Sequence, residues 1–110
     1  MKNEQNTCFK LTESFLKWRW FTNSKVLSVF IWLIASANLK DEYEKYFDEV
    51  IKRGSVATNN VAIAYGCGLT VANVRAALAC LEESGDITRE KRNHYQIITV
   101  KDFDSYYDID

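Results

Sequence analysis

The 110-residue sequence contains no proline and four glycines. Because proline breaks helices and interrupts strand pairing, its absence favours continuous helices and paired strands over extended linkers. The longest strongly apolar run, VFIWLIA at residues 29–35, is far below the roughly 20 residues that a membrane span needs. The N-terminal MKNEQNTCFK lacks the apolar core of a signal peptide. The sequence therefore predicts a cytoplasmic protein with no membrane partner.

Residues that bind metals or drive catalysis are also scarce. The three cysteines, Cys8, Cys67 and Cys80, share no C-x-x-C spacing, and His94 is the single histidine. Zinc ligands come in closely spaced pairs, so three reduced thiols are expected rather than a metal site. A catalytic histidine needs an orienting partner, and the sequence suggests none. We therefore predict no catalytic residue, no metal and no cofactor.

Neither sign of charge is in excess: the chain has 14 lysines and arginines and 15 aspartates and glutamates, which gives a net charge of −1. Nucleic-acid-binding domains usually carry a basic surplus, so a DNA-binding prediction must rest on local patches. Apolar residues make up 47% of the chain and aromatic residues 14%. That content is enough for one modest core, and the length is that of one domain.

Helical periodicity and capping residues predict two helices in the first two thirds of the chain. Ser24 is the predicted N-cap of a central helix over residues 24–40 that is apolar almost all round. Thr58 or Asn59 is the predicted N-cap of a short helix that ends at Gly66.

A third helix is predicted over residues 70–84, between the N-cap Thr70 and Gly85. Its apolar positions follow the i, i+3, i+4, i+7 pattern of a helix with one buried face. These positions are Val74, Ala77, Leu78 and Leu81.

The segments between the helices give weaker signals. Residues 11–22 predict a short helix or an extended arm that packs on the core. Its apolar residues to bury are Phe15, Leu16, Trp18, Trp20 and Phe21. Residues 41–49 hold five acids and one lysine, which predicts a solvated loop or a short surface helix. The sequence VIKRGSVAT predicts two short β pieces around Gly54, as a small strand or hairpin.

The C-terminal part predicts a β-hairpin. Ile87 lies on one side of a polar tip at residues 90–94, and the apolar run YQIITV lies on the other. The last ten residues either pack back on the domain or lead into a further segment. Helix, strand, helix, tight turn, helix and hairpin together predict an α+β winged helix-turn-helix with a three-helix core and a hairpin wing. We assign residues 15–107 to this domain, 1–14 to a flexible arm and 108–110 to a tail.

A winged helix of this kind points to DNA, which needs reading side chains on the first turns of the third helix. Asn73 can pair with adenine, Arg75 can reach guanine or a phosphate, and Thr70 can contact a phosphate while it caps the helix. Each also has a structural alternative. Thr70 can serve as a cap alone, Asn73 can be a solvated residue, and Arg75 can pair with Glu82 or Glu83.

The wing is the stronger electrostatic feature. Arg89, Lys91 and Arg92 face a single acid, Glu90, within residues 88–96. A cationic hairpin beside a recognition helix can straddle the DNA backbone or enter the minor groove. The alternative is a hairpin tip whose charges only keep it solvated.

Several motifs give the chain a family resemblance: the SKVLSVFIWLIASAN helix, IKRGSVAT, GLTVANVRAALACLEESGDI and the YQIITVKDFDSY ending. Over residues 15–107 they resemble the N-terminal winged-helix domain of phage replisome organisers and DnaD-like replication initiation proteins. The resemblance implies binding of double-stranded DNA during replication initiation of a phage or mobile element, with replication proteins or self-association as further partners. The positions that match and that it implies for DNA contact are Thr70, Asn73, Arg75, Lys91 and Arg92.

Two other functions fit the same sequence. Winged helices also act as dimerisation or docking domains without autonomous DNA binding, and residues 18–21 and 103–107 would then form the contact surface. A small transcriptional regulator would differ from a replication protein in its target rather than in its physics.

Overall fold

The computed structural model describes residues 7–40, 44–46 and 49–109. The helices in this part of the chain are α1 (Ser24–Ser36), α2 (Asn60–Cys67) and α3 (Val71–Glu83), with short 3-10 helices at Glu13–Lys17 and Phe103–Tyr106. The strands are β1 (Thr7–Phe9), β2 (Glu44–Tyr46), β3 (Glu49–Ile51), β4 (Ser55–Thr58), β5 (Ile87–Lys91), β6 (Gln96–Val100) and β7 (Tyr107–Ile109).

The central helix α1 begins one residue away from the predicted cap. Asn23 is the N-cap, and its side-chain oxygen accepts a hydrogen bond of 3.2 Å from the backbone N–H of Val26. Ser24 is instead the first helical residue. Asparagine and serine cap helices about equally well, so sequence alone does not separate adjacent candidates.

Helix α1 also ends earlier than predicted, at Ser36 rather than at residue 40. The reason is Asn38, whose buried side chain donates a 2.8 Å hydrogen bond to the carbonyl of Ile51. Its backbone N–H donates to the carbonyl of Ser55 at 2.9 Å. These bonds draw the chain out of the helix and onto the β3–β4 segment.

Helix α2 has Asn59 as its N-cap, which accepts a 2.8 Å bond from the N–H of Ala62. It passes through Gly66, where we predicted its end, and stops at Gly68, which adopts the left-handed conformation with φ of 69°. Gly66 serves the packing of α2 on α1 instead. A Cβ atom at this position would lie 2.3 Å from Nε1 of Trp32.

Helix α3 follows the prediction closely. Thr70 is its N-cap, and the hydroxyl accepts a 3.0 Å bond from the N–H of Asn73. The four predicted core positions are all buried: Val74, Ala77, Leu78 and Leu81. They pack against the buried side of α1, so the predicted helix register is confirmed.

The predicted wing is present as an antiparallel hairpin of β5 and β6, with Ile87 opposite Val100 and Lys91 opposite Gln96. Strand β4 pairs with the other edge of β6, which gives the sheet order β4-β6-β5. The two β pieces around Gly54 do not pair with each other, because β3 pairs with β2 instead. The prediction of a loop or a short helix at residues 41–49 was thus wrong for residues 44–46 and 49, which form strands. Residues 41–43 and 47–48 lie outside the described residues.

The two ends of the chain meet. Strand β1 pairs with β7, and the hydroxyl of Tyr107 donates a 2.9 Å bond to the carbonyl of Ile34. Of the predicted apolar arm, Phe15 is buried, but Leu16 is 61% exposed because it lies on the outer side of the 3-10 helix. The last ten residues therefore pack back as far as they are described, while the boundaries at 15 and 107 stay predictions.

No single helix in the described part of the chain has the length and apolar character of a membrane span, although α2 and α3 meet that test together as a pair bent by 103°.

Candidate nucleic-acid interface

An open cavity of about 350 Å³ lies between the first turn of α2, the first half of α3 and the wing. Its positively ionisable lining residues are Arg75, Arg89, Lys91, Arg92 and His94. Among the described residues that line it, none is an aspartate or a glutamate. The fold thus brings four of the chain's 14 lysines and arginines to one surface.

The predicted DNA-reading residues of α3 lie on the N-terminal turns of the helix. Thr70 and Arg75 are exposed and Asn73 is half-buried, while Thr70 already caps the helix through its hydroxyl. Within the described part of the chain Arg75 forms no ion pair. The predicted alternative partner, Glu82, is bound to Arg89 instead.

Arg89 is committed to a structural contact. Its Nε and Nη2 atoms donate to the same carboxylate oxygen of Glu82 at 3.1 and 2.8 Å. The Arg89 side chain is 15% exposed. This pair joins β5 of the wing to the C-terminal half of α3, so Arg89 fixes the angle of the wing and has little surface left for DNA.

Arg92 at the wing tip is also engaged. Its Nε donates to both carboxylate oxygens of Glu49, at 2.8 and 3.1 Å, and its Nη2 reaches Glu49 as well. Nη2 also donates to Glu90 at 3.1 Å, and Nη1 donates to the carbonyl of Lys91 at 3.1 Å. Every guanidinium nitrogen of Arg92 therefore has a partner within the protein.

Glu49 is a residue that the sequence reasoning missed. It accepts from Arg92, and it also accepts a 2.7 Å bond from the hydroxyl of Tyr95. The bonds from Arg92 and then from Tyr95 hold the pKa of Glu49 below its usual value, and the carboxylates raise the pKa of Arg92. The pair is thus ionised at neutral pH. The stability it contributes is lost only as pH falls through the lowered pKa of Glu49.

Lys91 differs from its neighbours in the wing. It is exposed, it ends strand β5, and it takes part in no ion pair among the residues that the structure describes. Of the six predicted DNA-contact residues, Arg75 and Lys91 are accordingly the cations that present an uncompensated charge to the cavity.

A polar contact inside the cavity wall holds the wing and α2 together. The Gln96 side-chain Nε2 donates a 2.8 Å bond to Asn60 Oδ1. Gln96 lies directly opposite Lys91 in the hairpin, and Asn60 is the first residue of α2. The position of the wing relative to the helix-turn-helix is therefore set by Asn60–Gln96 on one side and Glu82–Arg89 on the other.

The helices, the sheet order and the hairpin define a winged helix-turn-helix protein. A solved structure with this fold is TubR bound to 24 bp of tubC from Bacillus thuringiensis serovar israelensis pBtoxis. It is 19% identical to the chain, covers 87% of each chain and gives a TM-score of 0.50. The likeness confirms the predicted α+β winged-helix fold.

Sequence comparisons add no family. No family model matches the chain, and no curated protein sequence matches it. The resemblance to DnaD-like replication proteins therefore receives support for its fold and none for the family itself.

Proposed function

We propose that the chain binds double-stranded DNA through α3 and the wing, and that it acts by binding rather than by catalysis. The observation that carries the proposal is the cavity between α2, α3 and β5–β6, where the described lining includes five basic or histidine side chains and no acid. Two of these cations, Arg75 and Lys91, form no ion pair among the described residues, and uncompensated positive charge on an open surface favours an anionic ligand.

The geometry fits the way a winged helix reads a duplex. The major groove admits one α-helix, and the side chains on its first turns reach the base edges. Asn73 and Arg75 lie on those turns of α3, and Lys91 lies on the wing beside them. We propose that Asn73 faces the groove while Arg75 and Lys91 contact the adjoining phosphates.

The comparison with TubR supports the choice of ligand. That protein was solved bound to a 24-bp DNA segment, and the shared fold extends over 87% of this chain. A fold used for duplex binding, together with the basic cavity, favours double-stranded DNA over other anions.

The biological role is a finer proposal. The sequence resemblance favours replication initiation of a phage or mobile element, and a small transcriptional regulator would use the same interface. If the protein binds the DNA upstream of its own gene and silences a reporter placed there, the role of transcriptional regulator is favoured. Failure of an origin plasmid to replicate without the protein favours the replication role.

The test is a titration of a labelled duplex at several salt concentrations with three variants. Arg75→Ala and Lys91→Ala should each weaken binding several-fold, because each removes one cation–phosphate contact. Each should also lower the log–log salt slope, the slope of log affinity against log salt concentration, by about one. Lys101→Ala is the control, since this exposed lysine lies at the opposite end of β6 from the wing tip. Equal binding by all three variants and the unaltered protein would exclude this interface.

A second candidate function is docking to another protein, and one observation favours it. The outer side of α1 and the end of α2 enclose an apolar cavity of about 490 Å³ with Leu27, Ile31 and Trp32 in its wall. Nearby on α2, Tyr65 is 91% exposed. Sedimentation at increasing protein concentration tests self-association through this face, which should disappear in Ile31→Glu.

The docking surface that the sequence suggested, at residues 18–21 and 103–107, is a different one, and the structure buries part of it. Phe103 and Tyr107 are buried in the core. The indoles of Trp18 and Trp20 donate hydrogen bonds to Asp86 and to Ser84. These aromatic residues stabilise the domain itself.

A further inference from the structure

Two adjacent cations at the wing tip differ sharply in their surroundings. Lys91 carries no counter-charge among the described residues, whereas the guanidinium of Arg92 is surrounded by Glu49, Glu90 and the carbonyl of Lys91. Both line the basic cavity. Because the Nε and Nη2 edge of Arg92 is already bonded to carboxylates, a phosphate must displace Glu49 to take the forked edge of this guanidinium.

Glu49 supplies most of those bonds and occupies the place of an external anion. Its two oxygens accept from Nε and Nη2 of Arg92 in the forked arrangement that arginine also uses with phosphate. The hydroxyl of Tyr95 donates a further hydrogen bond of 2.7 Å to Oε1 of Glu49. Glu49 therefore presents to Arg92 the same charge and nearly the same geometry as a DNA phosphate.

The fold fixes Glu49 in this position. Strand β3 ends at the buried Ile51, whose carbonyl accepts the 2.8 Å bond from the buried Asn38. Pairing with β2 holds the other end, where Glu49 lies opposite Tyr46. Because Glu49 is two residues from a buried anchor, its backbone is held where the side chain reaches Arg92.

We propose that Glu49 is an internal competitor for the DNA phosphate, and that Arg92 makes a forked contact with a phosphate only after the Arg92–Glu49 pair opens. The inference rests on the proposed function and concerns the regulation of the same surface. In the unaltered protein, Arg75 and Lys91 supply the phosphate contacts from this cavity, so the log–log salt slope owed to them is about two. Releasing Arg92 adds about one more.

The experiment compares Glu49→Gln with the control Glu83→Gln on the full chain, using a labelled duplex between about 50 and about 200 mM salt. Both variants remove one negative charge. Glu83, however, is an exposed residue of α3 with no ion pair among the described residues. Glu49→Gln should bind up to about fivefold more tightly than Glu83→Gln, with a slope steeper by about one.

The double variant Glu49→Gln with Arg92→Gln identifies the residue responsible, because it should lose both the added affinity and the added slope. Equal binding by Glu49→Gln and Glu83→Gln overturns the inference and leaves the proposed function intact. Weaker binding by Glu49→Gln also overturns it, since Glu49 would then orient Arg92 toward DNA. No salt-dependent binding by any variant overturns the proposed function, and the inference with it.

Discussion

The two ends of α3 have opposite surroundings. At the N-terminal end Thr70 and Arg75 are exposed beside the basic cavity, and Arg75 has no ion pair among the described residues. At the C-terminal end, Glu82 is bound to Arg89, and the turn that follows is covered by aromatic side chains. One helix therefore serves as an exposed surface at its start and as a core attachment at its end.

The difference explains why acids in a proposed DNA-reading helix are tolerated. Glu82 and Asp86 lie at the C-terminal end of α3 and are not among the residues that line the cavity, and each has a partner, in Arg89 and in the indole of Trp18. The N-terminal end of a helix carries partial positive charge and attracts anions. Helix polarity and side-chain charge thus both direct a phosphate to the Thr70 end.

The largest effect is expected from a substitution in the middle of α3, because it should disturb both ends of the helix. Leu78 is fully buried in the middle of α3 against α1. Leu78→Ala should lower the free energy of unfolding by about 2–5 kcal/mol, as truncation of a buried leucine does. Urea unfolding measures this change. The matched control is Leu16→Ala, at an exposed leucine, which should change stability by less than about 0.5 kcal/mol.

An equal loss of stability in Leu78→Ala and Leu16→Ala would contradict the packing of α3. DNA binding by Leu78→Ala should fall in proportion to the unfolded fraction, because both ends of the helix depend on the same core.

The sequence predicted α3 and the wing well, and the reason is local. Thr70, the i, i+3, i+4, i+7 apolar set and Gly85 are signals within one helix, and the alternation on either side of a polar tip is a signal within one hairpin. Strand β2 and its pairing with β3 were missed, because the acidic composition of residues 41–49 gives no strand pattern and β3 is held by tertiary contacts such as Asn38 to Ile51.

Four of the six residues predicted to contact DNA lie around one cavity, their contact with DNA stays a prediction, and their ion pairs were not predictable from the sequence. Arg75, Arg89, Lys91 and Arg92 do line one cavity. Which of them is already paired depends on Glu49, 43 positions from Arg92. A contact at that separation leaves no periodic signal in the sequence, so the division into paired and unpaired cations requires the fold.

The next prediction addresses the N-terminal end alone. Thr70→Ala removes the hydroxyl that accepts from the N–H of Asn73 at 3.0 Å. It should lower stability by about 0.5–2 kcal/mol, typical of a lost N-cap. It should also weaken DNA binding, because the first turn of α3 is part of the proposed interface. Thr70→Ser retains the hydroxyl and should preserve both; loss of stability with unchanged binding in Thr70→Ala would place DNA elsewhere.

The smallest effect tests the opposite end. Ser84 follows α3, and its Oγ accepts a 3.0 Å bond from the indole of Trp20 and lies 2.6 Å from Oδ2 of Asp86. Ser84→Ala should cost about 0.5–1.5 kcal/mol of stability, the usual contribution of a hydrogen bond. Its affinity for DNA should stay the same, since Ser84 is not among the residues that line the cavity.

The control for Ser84→Ala is Ser36→Ala, at the exposed last residue of α1, which should leave both quantities within experimental error. Thr70→Ala and Ser84→Ala remove the same chemical group from the two ends of one helix. If their stability losses are similar and only Thr70→Ala weakens binding, then DNA contact is separable from helix stability. If Ser84→Ala weakens binding equally, the two ends are not functionally distinct, and the recognition surface must extend to the aromatic side of the domain.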